Sequence, residues 1–348
     1  LVRRGYSATG GAEAYLLRLA AGLQSRGCQV TLYTSADWPA DRWTFGHLVR
    51  LDADQPFEFA RAFARCRIPG QTILSLDRVP GCDVFRAGDG VHAAWLQRRA
   101  RFEPGWKSRL RIFNLKHAAL LSLERQVFKS VRLVIANSRM VADEIVHWHD
   151  FPASRIRVVP NGIGGAIPRI SRQEARGRLE LPEDVFCALF VGTGWERKGL
   201  RFAIEAVESL AGETLLLVAG RGQTSRYRSS RARFLGAVRD LPAVYSAADV
   251  FVLPTIYDPF SNACLEAIAA GLPVITTTAN GFSEILTPGV HGEVVEPGDV
   301  PALTAALAAW TQRDAAKSFA DCRLLAQDYT IERNVQATLD VLAEAVPA

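Results

Sequence analysis

The chain has no run of about eighteen uncharged apolar residues, which excludes a helix spanning a bilayer. It has one methionine and six cysteines (28, 66, 82, 187, 264 and 322), none at the close paired spacing of a zinc site or a dense disulfide framework. Reduced thiols of a cytosolic enzyme are the plain expectation. Charge of one sign is also in short supply. Lys and Arg number 41 against 36 Asp and Glu, and an excess of five is too small to imply nucleic acid as a partner. No charged-then-apolar secretory leader opens the sequence. It starts instead at Leu1-Val2, which reads as the tail of a strand, so a few preceding residues are expected to be missing.

What is present is an α/β pattern. In 348 residues, enough for two separate cores, short apolar runs alternate with amphipathic helical stretches, the signature of parallel sheets. Gly10-Gly11 opens a helix in which Tyr15, Leu16, Leu19 and Leu23 recur at helical spacing, and Gly27 ends it before a strand over 29–34. Further strands are predicted at 72–76 and 132–136, with a turn at Pro160-Asn161-Gly162. The second half repeats the plan, with strands over 186–191, 214–219, 250–254 and 273–276 and a helix over 261–270. The expected organisation is two Rossmann-like domains, 1–162 and 163–330, facing each other across a cleft at the carboxyl ends of their strands. The helix from about 331 to 348 is expected to cross back onto the first domain.

Several apparent motifs fail on spacing. Gly192-Thr193-Gly194 follows a strand, but the third glycine, Gly199, is at the wrong offset for a dinucleotide fingerprint. A P-loop fails because Leu200 stands where its lysine should be. His147 and His149, two residues apart, fall on different helix faces. Asp52-Ala53-Asp54 reads as a solvated turn, and no metal site is expected.

The informative stretch is Tyr257-Asp258-Pro259-Phe260-Ser261-Asn262-Ala263-Cys264-Leu265-Glu266. It places one carboxylate in a loop after a strand and a second about one turn inside the next helix. Helix N-terminal N–H groups lie between them and favour an anion. A helix-start Asp and a surface Glu would give the same letters. The stretch resembles the acidic–seven–acidic signature of the family 4 glycosyltransferases of GT-B fold, with Asp258 in place of the usual first Glu. Gly10-Gly11-Ala12-Glu13, Ala136-Asn137-Ser138, Val159-Pro160-Asn161-Gly162, Arg197-Lys198-Gly199, Phe234-Leu235-Gly236 and Ala247-Ala248-Asp249-Val250 extend the likeness over almost the whole chain.

The resemblance implies roles residue by residue. Glu266 would bind the ribose hydroxyls of a nucleotide-sugar donor. Asp258 would face the transferred sugar, helped by backbone N–H groups around Phe260, Ser261 and Asn262. Arg197 and Lys198 would clamp the diphosphate, which explains two cations at a helix start where the dipole disfavours them. Gly10 and Gly11 would let backbone approach the phosphates, and the base would lie near Val238 and Arg239. The family implies a retaining, metal-independent transfer in which the leaving phosphate helps deprotonate the acceptor on the same face. No resident cofactor is implied, since the donor is a co-substrate.

The segment Arg78-Val79-Pro80 through Gly88-Asp89-Gly90-Val91-His92 looks like its counterpart in the bacterial lipopolysaccharide core glucosyltransferases that add α-1,3-glucose to heptose. That likeness implies UDP-glucose as donor and Asp89 first, His92 second, as acceptor-side residues, with Ser138 nearby. Asp89-Gly90 could equally be a simple turn. From Trp95 to Lys116 seven cations (Arg98, Arg99, Arg101, Lys107, Arg109, Arg111 and Lys116) face one acid, Glu103, and interleave with Trp95, Phe102, Trp106 and Phe113. This composition suits an anionic membrane surface or a phosphorylated lipid-linked glycan, as well as a solvated loop. It fits an enzyme peripheral on the cytoplasmic face of the inner membrane. A mannosyl or N-acetylhexosaminyl donor, a GT-B sugar-nucleotide epimerase and a non-catalytic binding module are the alternatives.

Overall fold

The computed structural model describes residues 1–7, 11–105, 114–165, 167–313 and 315–346. The chain divides into two compact units, one formed by Leu1–Gly164 with Ile331–Ala348 and the other by Gly165–Thr330. The division falls two residues beyond Gly162.

In the first unit α1 (Gly11–Gln24) is followed by β1 (Val30–Ser35), β2 (Gly46–Leu51), α2 (Pro56–Cys66), β3 (Leu74–Ser75) and β4 (Val84–Arg86). Then come α3 (His92–Ala100), α4 (Leu115–Ser130), β5 (Leu133–Ala136), α5 (Arg139–His149) and β6 (Ile156–Val158). All pairings are parallel, β1 with β2 and β3-β4-β5-β6 in sequence. Val2 joins the two sets through bridges to Tyr33 and Ser75, so the opening residues form a short central strand. β-Branched and aromatic side chains of Val30-Thr31-Leu32-Tyr33-Thr34 suit a strand buried on both faces. The strand Gly46–Leu51 was not expected. Its residues are largely exposed at the sheet edge, so no apolar run betrays it.

The terminal helix Ile331–Ala345 belongs to this unit. Its Val335, Val341 and Ala345 share a core with Tyr15, Leu16, Leu19 and Leu23 of α1. Gly22 is required by that packing, because a Cβ there would stand 2.5 Å from a Val335 methyl. Asn334 accepts from the Tyr15 hydroxyl at 2.9 Å and donates to the Pro160 carbonyl at 2.6 Å.

The second unit contains α6 (Arg172–Arg178), β7 (Phe186–Val191), α7 (Leu200–Glu208), β8 (Thr214–Ala219), β9 (Ala232–Gly236), α8 (Leu241–Ala247), β10 (Val250–Leu253) and α9 (Asn262–Ala269). It continues with β11 (Val274–Thr277), β12 (Gly292–Val295), α10 (Val300–Trp310) and α11 (Ala315–Ala326), leaving the terminal helix as α12. Its sheet is wholly parallel in the order β12-β11-β10-β7-β8-β9. Strand order runs outward in both directions from the neighbours β7 and β10, which makes their carboxyl ends the topological switch point where such sheets bind ligands.

Candidate active site

Two loops leave the switch point, 192–199 after β7 and 254–261 after β10, and they clasp each other. The Arg197 carbonyl accepts from the Ile256 N–H and the Thr255 hydroxyl, both at 2.9 Å, while the Arg197 guanidinium donates to the Tyr257 carbonyl at 2.9 Å. Gly199 precedes α7 with φ +73°, and a Cβ there would lie 1.9 Å from the Pro254 carbonyl oxygen. The clasp therefore demands glycine for space as well as conformation. At Gly192 a Cβ would stand 2.6 Å from Lys198 Cδ, so the bare backbone lets the Lys198 stem cross the strand end.

That stem carries its ammonium to Asp258. Lys198 Nζ lies 3.5 Å from Asp258 Oδ2 and Arg197 Nη1 lies 3.8 Å from the same oxygen. The Asp258 side chain is 9% exposed, Lys198 12% and Arg197 36%, so the group is sheltered yet reachable from the arginine side. Asp258 is fixed by its backbone, donating to Ala279 and accepting from Gly281, each at 2.9 Å. Two cations against one carboxylate leave this loop pair attractive to an anion. The three residues predicted to act together are thus brought together.

The start of α9 departs from the expectation in one respect. The Ser261 N–H, expected to face a donor, donates instead to Asn280 Oδ1 at 3.2 Å, and the Ser261 hydroxyl caps the helix by accepting from Cys264 N–H at 3.3 Å. Asn280 is fully buried, and its carboxamide also accepts from Phe282 N–H at 3.1 Å and donates to Thr276 at 2.9 Å. It locks the loop carrying Asp258 onto β11. Phe260 is buried against Phe282, with ring centroids 5.6 Å apart, and Asn262 opens α9. Glu266, one turn further on and half-buried, accepts from the Tyr245 hydroxyl at 3.2 Å. Val238 and Arg239 lie in the loop beyond β9, near the strand's carboxyl end. Neither Asn280 nor Tyr245 was legible beforehand. A lone Asn in a turn and a Tyr on a buried helix carry no spacing signal.

In the first unit Asp89 sits at the tip of a turn closed by Gly90 N–H to the Ala87 carbonyl at 3.0 Å, and its side chain is half exposed. Arg3 bonds Glu13 at 3.2 Å and reaches Asp89 at 3.5 Å and Asp77 at 3.9 Å. His92 is buried. Its N–H donates to both oxygens of Glu124, at 2.9 and 3.1 Å, and its ring lies 3.0 Å from that of His117. Ser138 is buried and caps α5 by accepting from Val141 N–H at 3.2 Å. Gly11 begins α1, while Gly10 lies outside the described residues.

Of the basic segment, Arg98 pairs with Glu144 at 2.8 Å and Arg99 with Glu103 at 2.7 Å, whereas Arg101 and Lys116 are exposed. Trp106, Lys107, Arg109, Arg111 and Phe113 lie outside the described residues. Among the described residues no helix is long and apolar enough to cross a membrane.

The buried pair His92 and Glu124 makes the chain acid-sensitive. Burial, then the Arg78 charge, lowers His92 from 6.5 to about 4. The unfolded chain therefore takes up this proton first, and stability falls as pH drops from about 6.5 to about 4. Burial opposes ionisation of Glu124, but the His149 ring nitrogen 3.4 Å away, the Arg78 charge and bond, and the His92 backbone N–H outweigh it and bring its pKa from 4.5 to about 2. Its contribution is present above 4.5 and lost as pH falls through about 2. Denaturant midpoints measured from neutral pH down to about 4 are expected to fall steadily, and His92→Gln is expected to flatten that slope.

Two family models match the chain, "Glycosyltransferase Family 4" over residues 9–164 and "Glycosyl transferases group 1" over residues 186–313. The lipopolysaccharide glucosyltransferase WaaG of Escherichia coli (strain K12) is 27% identical over 316 residues, covering 83% of each chain. The crystal structure of WaaG, a glycosyltransferase involved in lipopolysaccharide biosynthesis, superposes with a TM-score of 0.80 at 23% identity over 98% of each chain. Anabaena HepE in complex with UDP and glucose gives 0.72 at 18% identity over 99% of each chain. The two models together take in both parallel-sheet units, including the Arg197–Lys198–Asp258 cluster and Glu266, and the chain belongs to the family 4 glycosyltransferases of GT-B fold.

Proposed function

We propose that this glycosyltransferase is a retaining hexosyltransferase that moves glucose from UDP-glucose onto a heptose of lipopolysaccharide core or a similar glycan, without a metal ion. The observation that carries the proposal is the convergence of Lys198 and Arg197 on Asp258 at the switch point of the second unit. A leaving nucleoside diphosphate concentrates negative charge, and fixed cations in a sheltered site stabilise it as it departs. Glu266 binds the ribose, with Val238 and Arg239 beside the base. Asp258 holds the cations in register and offers its carboxylate to the sugar. Asp89 serves the acceptor from the first unit, with His92 behind it. The leaving phosphate deprotonates the acceptor hydroxyl on the departing face, so configuration is retained. That WaaG is a lipopolysaccharide glucosyltransferase and that HepE binds UDP and glucose support this choice of donor and acceptor class.

The test is a donor screen by thermal shift and nucleotide release with UDP-glucose, UDP-galactose, UDP-N-acetylglucosamine, GDP-mannose and ADP-glucose. Turnover of UDP-glucose that is stimulated by heptose-terminated core glycan, withstands chelator and gives an α-linked product is expected. Preference for another donor replaces glucose in the proposal, and a β-linked product removes retention from it.

The proposal includes attachment of the basic segment to an anionic membrane surface on the cytoplasmic side. Each exposed cation near such a surface contributes about 1 kcal/mol, or roughly fivefold in partition. Arg101→Ala and Lys116→Ala are each expected to lower binding to vesicles containing phosphatidylglycerol by about that factor. Binding unaffected by both substitutions removes the membrane from the proposal.

A further inference from the structure

Tyr245 projects from α8 and is fully buried, its ring centroid 6.4 Å from that of Phe251 in β10. A phenylalanine would fill this core position equally well by volume. The hydroxyl adds one thing, a hydrogen bond of 3.2 Å to Glu266 Oε2 on the neighbouring helix α9. Burial first, and then the negative charge of Glu266, push the phenol well above its ordinary range. The group therefore keeps its proton and acts as a permanent donor. Glu266 is half-buried, so a carboxylate anchored on its inner side still meets solvent.

A carboxylate has about four acceptor positions, and the phenol occupies one. Fixing one oxygen restricts the torsions of a long side chain before any ligand arrives, which lowers the ordering cost of binding.

We infer that Tyr245 is a positioning residue for Glu266 and makes the site select ribonucleotide over deoxyribonucleotide donors. This rests on the reading of Glu266 as the ribose-binding group. A site built to bond a hydroxyl rejects the analogue lacking it, because its own polar group is then left unpaired. The rejection weakens when the carboxylate loses this anchor.

The experiment measures dissociation constants of UDP, 2′-deoxy-UDP and 3′-deoxy-UDP by calorimetry for the wild type, Tyr245→Phe, Glu266→Ala and the double variant. The wild type is expected to favour UDP over at least one deoxy analogue by about tenfold or more. Tyr245→Phe is expected to weaken UDP by about fivefold or more while changing that analogue by less than about twofold, which collapses the ratio. Because the ratio is independent of the fraction of folded sample, a mild loss of stability does not disturb it. The double variant is expected to match Glu266→Ala, since Tyr245 acts through that carboxylate. An equal loss for UDP and both analogues makes Tyr245 a packing residue and overturns the inference, as does an unchanged ratio. If Glu266→Ala keeps the wild-type discrimination, the ribose role of Glu266 fails first, a distinguishable result.

Discussion

Replacing Lys198 with alanine is expected to lower kcat/KM for the sugar donor by about a hundred- to a thousandfold, the scale seen when one preorganised group facing developing charge is removed. The effect has two sources. The leaving diphosphate loses a fixed cation. Asp258, whose side chain is only 9% exposed, also loses its nearer partner at 3.5 Å and keeps Arg197 at 3.8 Å. Stranding a buried carboxylate is costly in its own right. The second source is separable, because Asp258→Asn in the same chain removes the stranded charge. Denaturation should show the double variant more stable than Lys198→Ala, while its kcat/KM stays low. Lys198→Arg is expected to recover activity only in part. The stem crosses Gly192 with no room to spare, and a planar guanidinium does not retrace the path of a flexible ammonium. A kcat/KM for Lys198→Ala within about threefold of wild type would remove the lysine from the reaction.

Gly199→Ala is expected to destabilise the second unit strongly. At φ +73° an L-residue is strained by about 1–2 kcal/mol, and the new methyl would stand 1.9 Å from the Pro254 carbonyl oxygen. That oxygen is backbone of the facing loop, so relief comes only by parting the two loops. The total should exceed about 3 kcal/mol. Gly194→Ala is the control. It has a similar φ, +68°, with nothing within 4 Å of the added atom, so only the conformational cost applies. Urea midpoints of the two variants separate strain from collision. Activity of residual folded Gly199→Ala should also be low, because Arg197 and Lys198 belong to the displaced loop. Equal midpoints for the two alanines would show that the loops part freely.

The sequence made the second unit more legible than the first. Strands β7, β8, β10 and β11 are continuous apolar runs because both faces of a parallel sheet are covered. The edge strands β2, β6, β9 and β12 and the three-residue β4 carry no such run, and the sequence does not mark them as strands. Arg197, Lys198, Asp258 and Glu266 were readable as a group through the order of short motifs. Their spacing along the chain, however, says nothing about which oxygen meets which nitrogen. The supporting residues leave no mark in the sequence for a physical reason. Asn280 and Tyr245 work through one buried hydrogen bond each or a small set of them, and a single polar atom inside a core leaves no period in the sequence.

The terminal helix sets an order on how this molecule is made. Val335, Val341 and Ala345 complete a core begun by Tyr15 and Leu19, and Gly22 leaves the space that Val335 fills. The residues from Gly165 to Thr330 form a unit of their own within that span. During vectorial synthesis the interior unit has its whole sequence available before α12 is made, while the first unit waits for that helix. Of these two units the one begun earlier is therefore the later able to close, and its helix α1 keeps an apolar face uncovered until α12 has been synthesised.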